Sequence, residues 1–199
     1  MFRKKFVSGA VAAAVAFMAA GCFAAKLNVG DAGPDWSGIA GVDGKDHSLA
    51  DYKNAKLVVV VFTCNHCPVA VAYEDRLVAL QKEYKGKGVQ FVAINCNNIA
   101  GDRLDDMKKR AKDKGFNFPY LHDSTQKSGR DYDAKVTPHV FLLDKARKVA
   151  YMGAIDDNMN AEKVKTKYLA DALDALLDGK EPPKTSTPPT GCSIKYEKK

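Results

Sequence analysis

Glycine and proline are scarce in this chain of 199 residues, at 15 and 8, which excludes a low-complexity or fibrous protein. Long apolar runs are lacking beyond the extreme N-terminus, which excludes a polytopic membrane protein. Blocks of like charge are also missing. The 31 Lys and Arg against 24 Asp and Glu give a net charge of +7, but Arg3, Lys4 and Lys5 supply three of the positives. The other basic residues are interleaved with acids, as from Asp102 to Arg110. That pattern is a solvated helix face and not a phosphate-binding footprint, so no nucleic-acid partner is expected. What is present, 46% hydrophobic and 28% charged residues, suits one sizeable core. There is no internal repeat.

Arg3-Lys4-Lys5 followed by the apolar residues 6–20 has the order of a secretory signal, too short for a comfortable membrane span. Residues 1–25 are therefore set apart from the fold, and the mature protein is expected in the periplasm or another extracytoplasmic space. Two outcomes stay open at Cys22. After Ala19-Ala20-Gly21 it resembles a lipobox cysteine, which would be acylated and anchor the chain to a membrane, although Ala19 stands where a leucine is usual. Ordinary cleavage after Ala24 would instead discard it.

In the mature chain, residues 26–45 are rich in turns, with Trp36 and Ile39 placed to anchor a short hairpin. Ser48 can cap a short helical turn. The continuous apolar run 57–62 predicts a strand covered on both faces. Val69, Tyr73, Leu77, Leu80 and Tyr84 are spaced for a helix that stops at Gly86 and Gly88. A second buried strand follows at 89–94, then a charged helix at 102–114, a short strand at 118–121 and a short helix at 124–131 capped by Ser124. Strands at 139–143 and 148–152 form an antiparallel hairpin around residues 144–147. A last helix spans 166–178 and ends at Gly179. This order predicts an α/β fold, a central mixed β-sheet with helices on both faces, over a domain of residues 26–179. Residues 180–199 form a proline-rich tail, an extended strap or a disordered segment.

Cys64-Asn65-His66-Cys67-Pro68 lies where the apolar strand gives way to the amphipathic helix. That junction puts two thiols within disulfide reach on the first helical turn. The unpaired N–H groups and the positive end of the helix dipole favour a thiolate at Cys64. Pro68 suits a helix start because no N–H is wasted there.

With Val61 to Pro68, Phe91 to Asn95, Val136-Thr137-Pro138 and Val29 to Trp36 in this order, the chain resembles the thioredoxin superfamily, in particular its redoxin and alkyl-hydroperoxide-reductase-like branch of exported thiol–disulfide oxidoreductases. The resemblance covers roughly residues 27–178 and implies a thioredoxin-like fold. It implies that Cys64 attacks a target disulfide, that Cys67 resolves the mixed disulfide through a Cys64–Cys67 bridge, and that Pro138 is a cis-proline facing the pair. Thr137, which precedes it, would then pair with the main chain of a substrate. His66 has two readings: an imidazolium beside Cys64 that stabilises the thiolate and makes the disulfide more oxidising, or an exposed ring with little coupling. The chain departs from thioredoxin at Val58, where a proton-relaying aspartate is usual, at Thr63 in place of tryptophan, and at Pro68.

Cys96 ends the second strand and reads as a small buried hydrophobe or an auxiliary thiol. Cys192, in the tail, is open to three roles: protecting Cys96, exchanging with Cys64, or remaining free. His47, His122 and His139 lack ligand spacing and read as structural. Two rival functions share these residues. A peroxiredoxin-like peroxidase needs P-x-x-x-T-x-x-C, and neither Cys64 nor Cys67 has those residues in register. A soft-metal module would hold Cu(I) on Cys64, His66 and Cys67, whereas a structural zinc site would need a second C-x-x-C. The expected function is thiol–disulfide exchange with protein thiols and disulfides, recharged by a redox partner and using no cofactor.

Overall fold

The apolar run at 57–62 sits in the middle of the sheet with all six residues buried, and the rest of the chain is arranged to cover its two faces. The computed structural model describes residues 26–198. In chain order it has a hairpin of β1 (Ile39–Gly41) and β2 (Asp46–His47), then β3 (Leu57–Phe62), α1 (Pro68–Tyr84), β4 (Val89–Asn95), α2 (Leu104–Asp113), β5 (Tyr120–His122) and α3 (Lys127–Asp131). There follow β6 (Val136–Thr137), β7 (His139–Leu143), β8 (Val149–Gly153), α4 (Tyr168–Leu177) and β9 (Cys192–Ser193).

Seven strands form one mixed sheet in the order β2-β1-β5-β4-β3-β7-β8, and β6 pairs separately with β9. β3, β4 and β5 are parallel, whereas β7 runs antiparallel to β3 and to β8. Successive strand residues face opposite sides. Val59 and Val61 therefore join Leu77 of α1, Met107 of α2 and Leu173 of α4 in one core. Val58, Val60 and Phe62 join Trp36, Tyr132 and Ile194 in the other. The expected architecture is present, with helices on both faces.

At two helix starts a buried acid moves the boundary from the sequence reading. α2 starts at Leu104 because Asp102 turns inward and is fully buried, so it does not belong to the solvated charged face. α3 starts at Lys127 and is not capped by Ser124. The Asp123 carboxylate takes that role, accepting from the Thr125 N–H at 3.1 Å and the Ser128 N–H at 2.8 Å, because a charged acceptor makes the stronger cap. The tail is an ordered strap. Ile194 is buried in the second core, the Thr187 hydroxyl lies 2.6 Å from the Tyr151 hydroxyl, and Tyr196 donates to the Ala134 carbonyl at 2.9 Å. Gly153 permits the close approach, since a Cβ there would stand 2.1 Å from the Thr187 carbonyl oxygen.

Two links aim the elements at the same end of the sheet. Glu74 of α1, buried, takes both forks of Arg110 of α2 at 2.8 Å, holding the two helices together. β3 and β4 are parallel, so the turns after their carboxyl ends share one edge.

His139 packs its ring on Phe141 at 4.4 Å between centroids, and its Nδ1 has no partner. Burial lowers its pKa to about 4, with Asp133 opposing and Lys135 reinforcing the shift. A depressed folded pKa means that the unfolded chain binds the proton first as pH falls. The protein should therefore lose about 3 kcal/mol from this group between roughly pH 6.5 and 4. Urea unfolding across that window should show the loss in the parent chain and a flatter profile in His139→Leu.

Candidate active site

Cys64 stands two residues beyond β3, and Cys67 is the residue that caps α1, with Pro68 at the first helical position. The Cys67 backbone is extended, and its sulfur accepts the Ala70 N–H at 3.5 Å. Facing them is the Thr137–Pro138 bond, which is cis. The Thr137 hydroxyl lies 3.0 Å from the Cys64 sulfur, and the Cys67 thiol donates to the Thr137 carbonyl at 3.2 Å. Thr137 thus contacts two free thiols through different atoms. Cys64, Cys67, Thr137 and Pro138 are all buried, whereas His66 and Pro68 reach solvent.

The electrostatics differ from those expected at the start of a helix. His66 directs Nδ1 at Asp102 and not at the sulfur. The same carboxylate accepts the backbone N–H of Asn65 at 2.7 Å and of His66 at 3.3 Å. Asn65 completes the latch, donating from its amide to the Gly101 carbonyl at 2.8 Å and accepting from the Tyr120 hydroxyl at 2.9 Å. Burial pushes the Cys64 thiol up to about 12; the Thr137 hydrogen bond opposes the shift and the negative charge of Asp102 adds to it. In this conformation His66 is engaged by a carboxylate that itself works against a thiolate at Cys64, so the geometry gives the reading of a ring directed at the sulfur no contact to rest on.

Cys67 behaves in the opposite way. Burial works against its thiolate, but hydrogen bonds from the Cys192 thiol, the Ala70 N–H, the Cys192 N–H and Thr137 carry its pKa below the ordinary thiol value. The Cys192 thiol is raised in turn by that contact with Cys67.

Cys192 arrives through the strap. β9 runs antiparallel to β6, with Cys192 opposite Thr137 and Ser193 opposite Val136. Cys192 is a free thiol that packs against the cluster of Cys64, Cys67 and Ala70, in contact with Cys67, and is not joined to Cys96. Cys96 belongs instead to the core that holds Val58, Val60 and Phe62, 3.7 Å from the Ser128 hydroxyl, and burial raises it to about 12. The Thr137 edge expected to receive a substrate chain is already filled by β9.

His122 contacts the Asn97 carbonyl at 3.2 Å, and His47 the Tyr52 hydroxyl at 2.9 Å, so neither joins the site. Cys22 lies outside the described residues. Cys64, His66 and Asp102 offer ligand atoms within 4.8 Å of one another. Their mixture of thiol, imidazole and carboxylate is not the soft set that selects Cu(I), and Asp102 is already engaged by Asn65 and His66. Asp102 is the residue that sequence reasoning missed. Its signal was position: the loop after β4 ends where the Cys64 turn begins.

The Redoxin family model matches residues 28–169. The chain belongs to the Redoxin family. This redoxin is 27% identical over 139 residues to the thiol-disulfide oxidoreductase ResA of Geobacillus thermodenitrificans, covering 69% of this chain and 74% of that protein. Among solved structures, an uncharacterized conserved protein of Geobacillus kaustophilus superposes with a TM-score of 0.81 at 37% identity, over 87% of this chain and 94% of that one. A thiol:disulfide interchange protein of Chlorobium tepidum gives 0.54 at 25% identity, over 64% and 87%. The fold is that of the thioredoxin superfamily, and its redoxin kinship makes the chain a redox enzyme of the thiol class. No helix among the described residues is long and apolar enough to cross a membrane.

The field of Asp102 on Cys64 is measurable. In a Cys67→Ser background, which leaves Cys64 as the one thiol of the pair, Asp102→Asn should raise the rate of iodoacetamide alkylation several-fold near pH 8, since each pKa unit is worth about tenfold in thiolate. The same substitution should cost about 1–3 kcal/mol of stability through the weakened Asn65 and His66 contacts. An unchanged alkylation rate would remove Asp102 from the electrostatics of the site.

Proposed function

We propose that this redoxin is an extracytoplasmic thiol–disulfide oxidoreductase that exchanges a Cys64–Cys67 dithiol and disulfide with cysteines of protein substrates. The observation that carries the reading is the placement of both sulfurs on Thr137, one on its hydroxyl at 3.0 Å and one on its carbonyl at 3.2 Å, beside the cis bond to Pro138. Such an arrangement holds two thiols near a single backbone edge to which an extended peptide can add. The basic and apolar N-terminal residues support the location outside the cytoplasm.

In this reading the Cys64 sulfur attacks a substrate disulfide, releasing one substrate thiolate and forming a mixed disulfide. Cys67 then attacks Cys64, the bond to the substrate breaks, and the second substrate thiol departs. The Cys67 pKa, carried below the ordinary thiol value, suits the second step, because a larger thiolate fraction speeds attack on a mixed disulfide held beside it. Cys64 is raised to about 12 chiefly by burial, so its attack requires the strap to leave the Thr137 edge and expose the thiol. Thr137 and Pro138 present that edge, and His66 with Asp102 holds the turn between the two cysteines. A partner thiol or disulfide returns the pair to its starting state.

Cys64→Ser should abolish reduction of insulin disulfides, whereas Cys67→Ser should accumulate mixed disulfides with substrate on non-reducing gels, because only the second thiol can release a trapped chain. Equal trapping by both variants would reverse or remove the assignment.

A further inference from the structure

We propose that Cys192 is a third redox thiol of this site, which takes over the active-site disulfide as a Cys67–Cys192 bridge and so clamps the C-terminal strap across the Thr137 edge. The inference rests on the exchange chemistry proposed above. Three independent features of the strap carry it. Cys192 is placed by ladder register directly opposite Thr137, the residue whose carbonyl accepts the Cys67 thiol at 3.2 Å. Gly191 lets the strap approach that carbonyl, since a Cβ there would stand 2.0 Å from the Thr137 oxygen, which no side chain tolerates. Beyond Cys192 the strap is locked down: Lys195 N–H donates to Asn97 at 2.7 Å, and Gln126 bonds the Lys195 carbonyl at 2.9 Å and the Glu197 N–H at 2.8 Å. A cysteine held so firmly beside a reactive one has a high local concentration toward it.

The step conserves electrons. A substrate disulfide first oxidises Cys64 and Cys67 and leaves as two thiols. Cys192, as the thiolate, then attacks the Cys67 sulfur. The Cys64–Cys67 bond breaks as the Cys67–Cys192 bond forms, and Cys64 departs and takes up the proton that Cys192 lost. Its burial and the nearby negative charge of Asp102 favour the thiol form. The second step needs no further oxidant. Its product has a free Cys64 and a strap bonded over the edge that a substrate chain would use. The oxidised protein is thus closed to a second substrate until a dithiol partner reduces the new bond.

The test oxidises the full chain with oxidised glutathione, quenches in acid, alkylates with N-ethylmaleimide and maps tryptic peptides. The expected product is peptide 57–76 joined to 185–195, with Cys64 alkylated and fragment spectra placing the bridge on Cys67. Gly191→Ala, whose strap cannot approach Thr137, should lose the joined peptide and keep a bridge within 57–76. The same internal bridge should be the product in Cys192→Ala. If the parent chain carries the bridge only within 57–76 and Cys192 is alkylated, or if Cys192 is joined to Cys64 or Cys96, the third-thiol role is wrong while the exchange reading stands. If no bridge within 57–76 forms in Cys192→Ala, the exchange reading falls, and this inference with it.

Discussion

Three sulfurs converge on one threonine. Thr137 presents its hydroxyl to Cys64, its carbonyl to Cys67, and its place in the ladder to Cys192. This convergence depends on the sheet. β6 must lead into β7 through the cis bond so that its backbone faces the ends of β3 and α1, and β7 must lie beside β3 for those ends to meet. The buried valines of β3 hold this arrangement, since each is covered by strands or helices on every side. The chemistry at the rim is therefore set by packing at the centre.

The same geometry explains why the two cysteines differ. Both are buried, and burial alone disfavours either thiolate. Cys67 escapes because it is the capping residue of α1 and receives donors from the helix and from the strap. Cys64 lies on the side of Asp102, whose fully buried carboxylate organises the turn through Asn65 and His66. The carboxylate gains local order at the expense of the Cys64 thiolate. Val58 leaves the usual position of a buried acid empty of charge, and Asp102 brings a buried carboxylate to the site from the loop after the neighbouring strand instead.

The strap has two roles that share one set of contacts. It completes the second core through Ile194 and closes the β6 edge through Cys192 and Ser193. An exposed edge beside a cis-proline would invite any extended chain, and the strap occupies it from within. Loosening the strap for a substrate thus draws on the same packing that holds the fold together.

Much of this was legible in the residues. The apolar run before Cys64, the helical spacing from Val69 to Tyr84 and the hairpin after Pro138 each obey a local period, so the mixed sheet and the position of the two thiols at a strand–helix junction followed from sequence alone. The Cys-x-x-Cys spacing and the Thr-Pro pair marked residues that the structure brings together, and they were legible for the same reason, because both are short-range patterns. What the sequence could not carry were contacts between residues far apart in the chain. Asp102 reads as one more acid in a charged stretch until the parallel pairing of β3 and β4 brings its loop onto Asn65 and His66. Cys192 reads as a thiol in a proline-rich tail until antiparallel register sets it opposite Thr137. Thiolate stability depends on those distant neighbours through burial, charge and hydrogen bonding, so the sequence determined which sulfurs meet at the helix start, and only the tertiary structure decided in which direction each thiol is pushed.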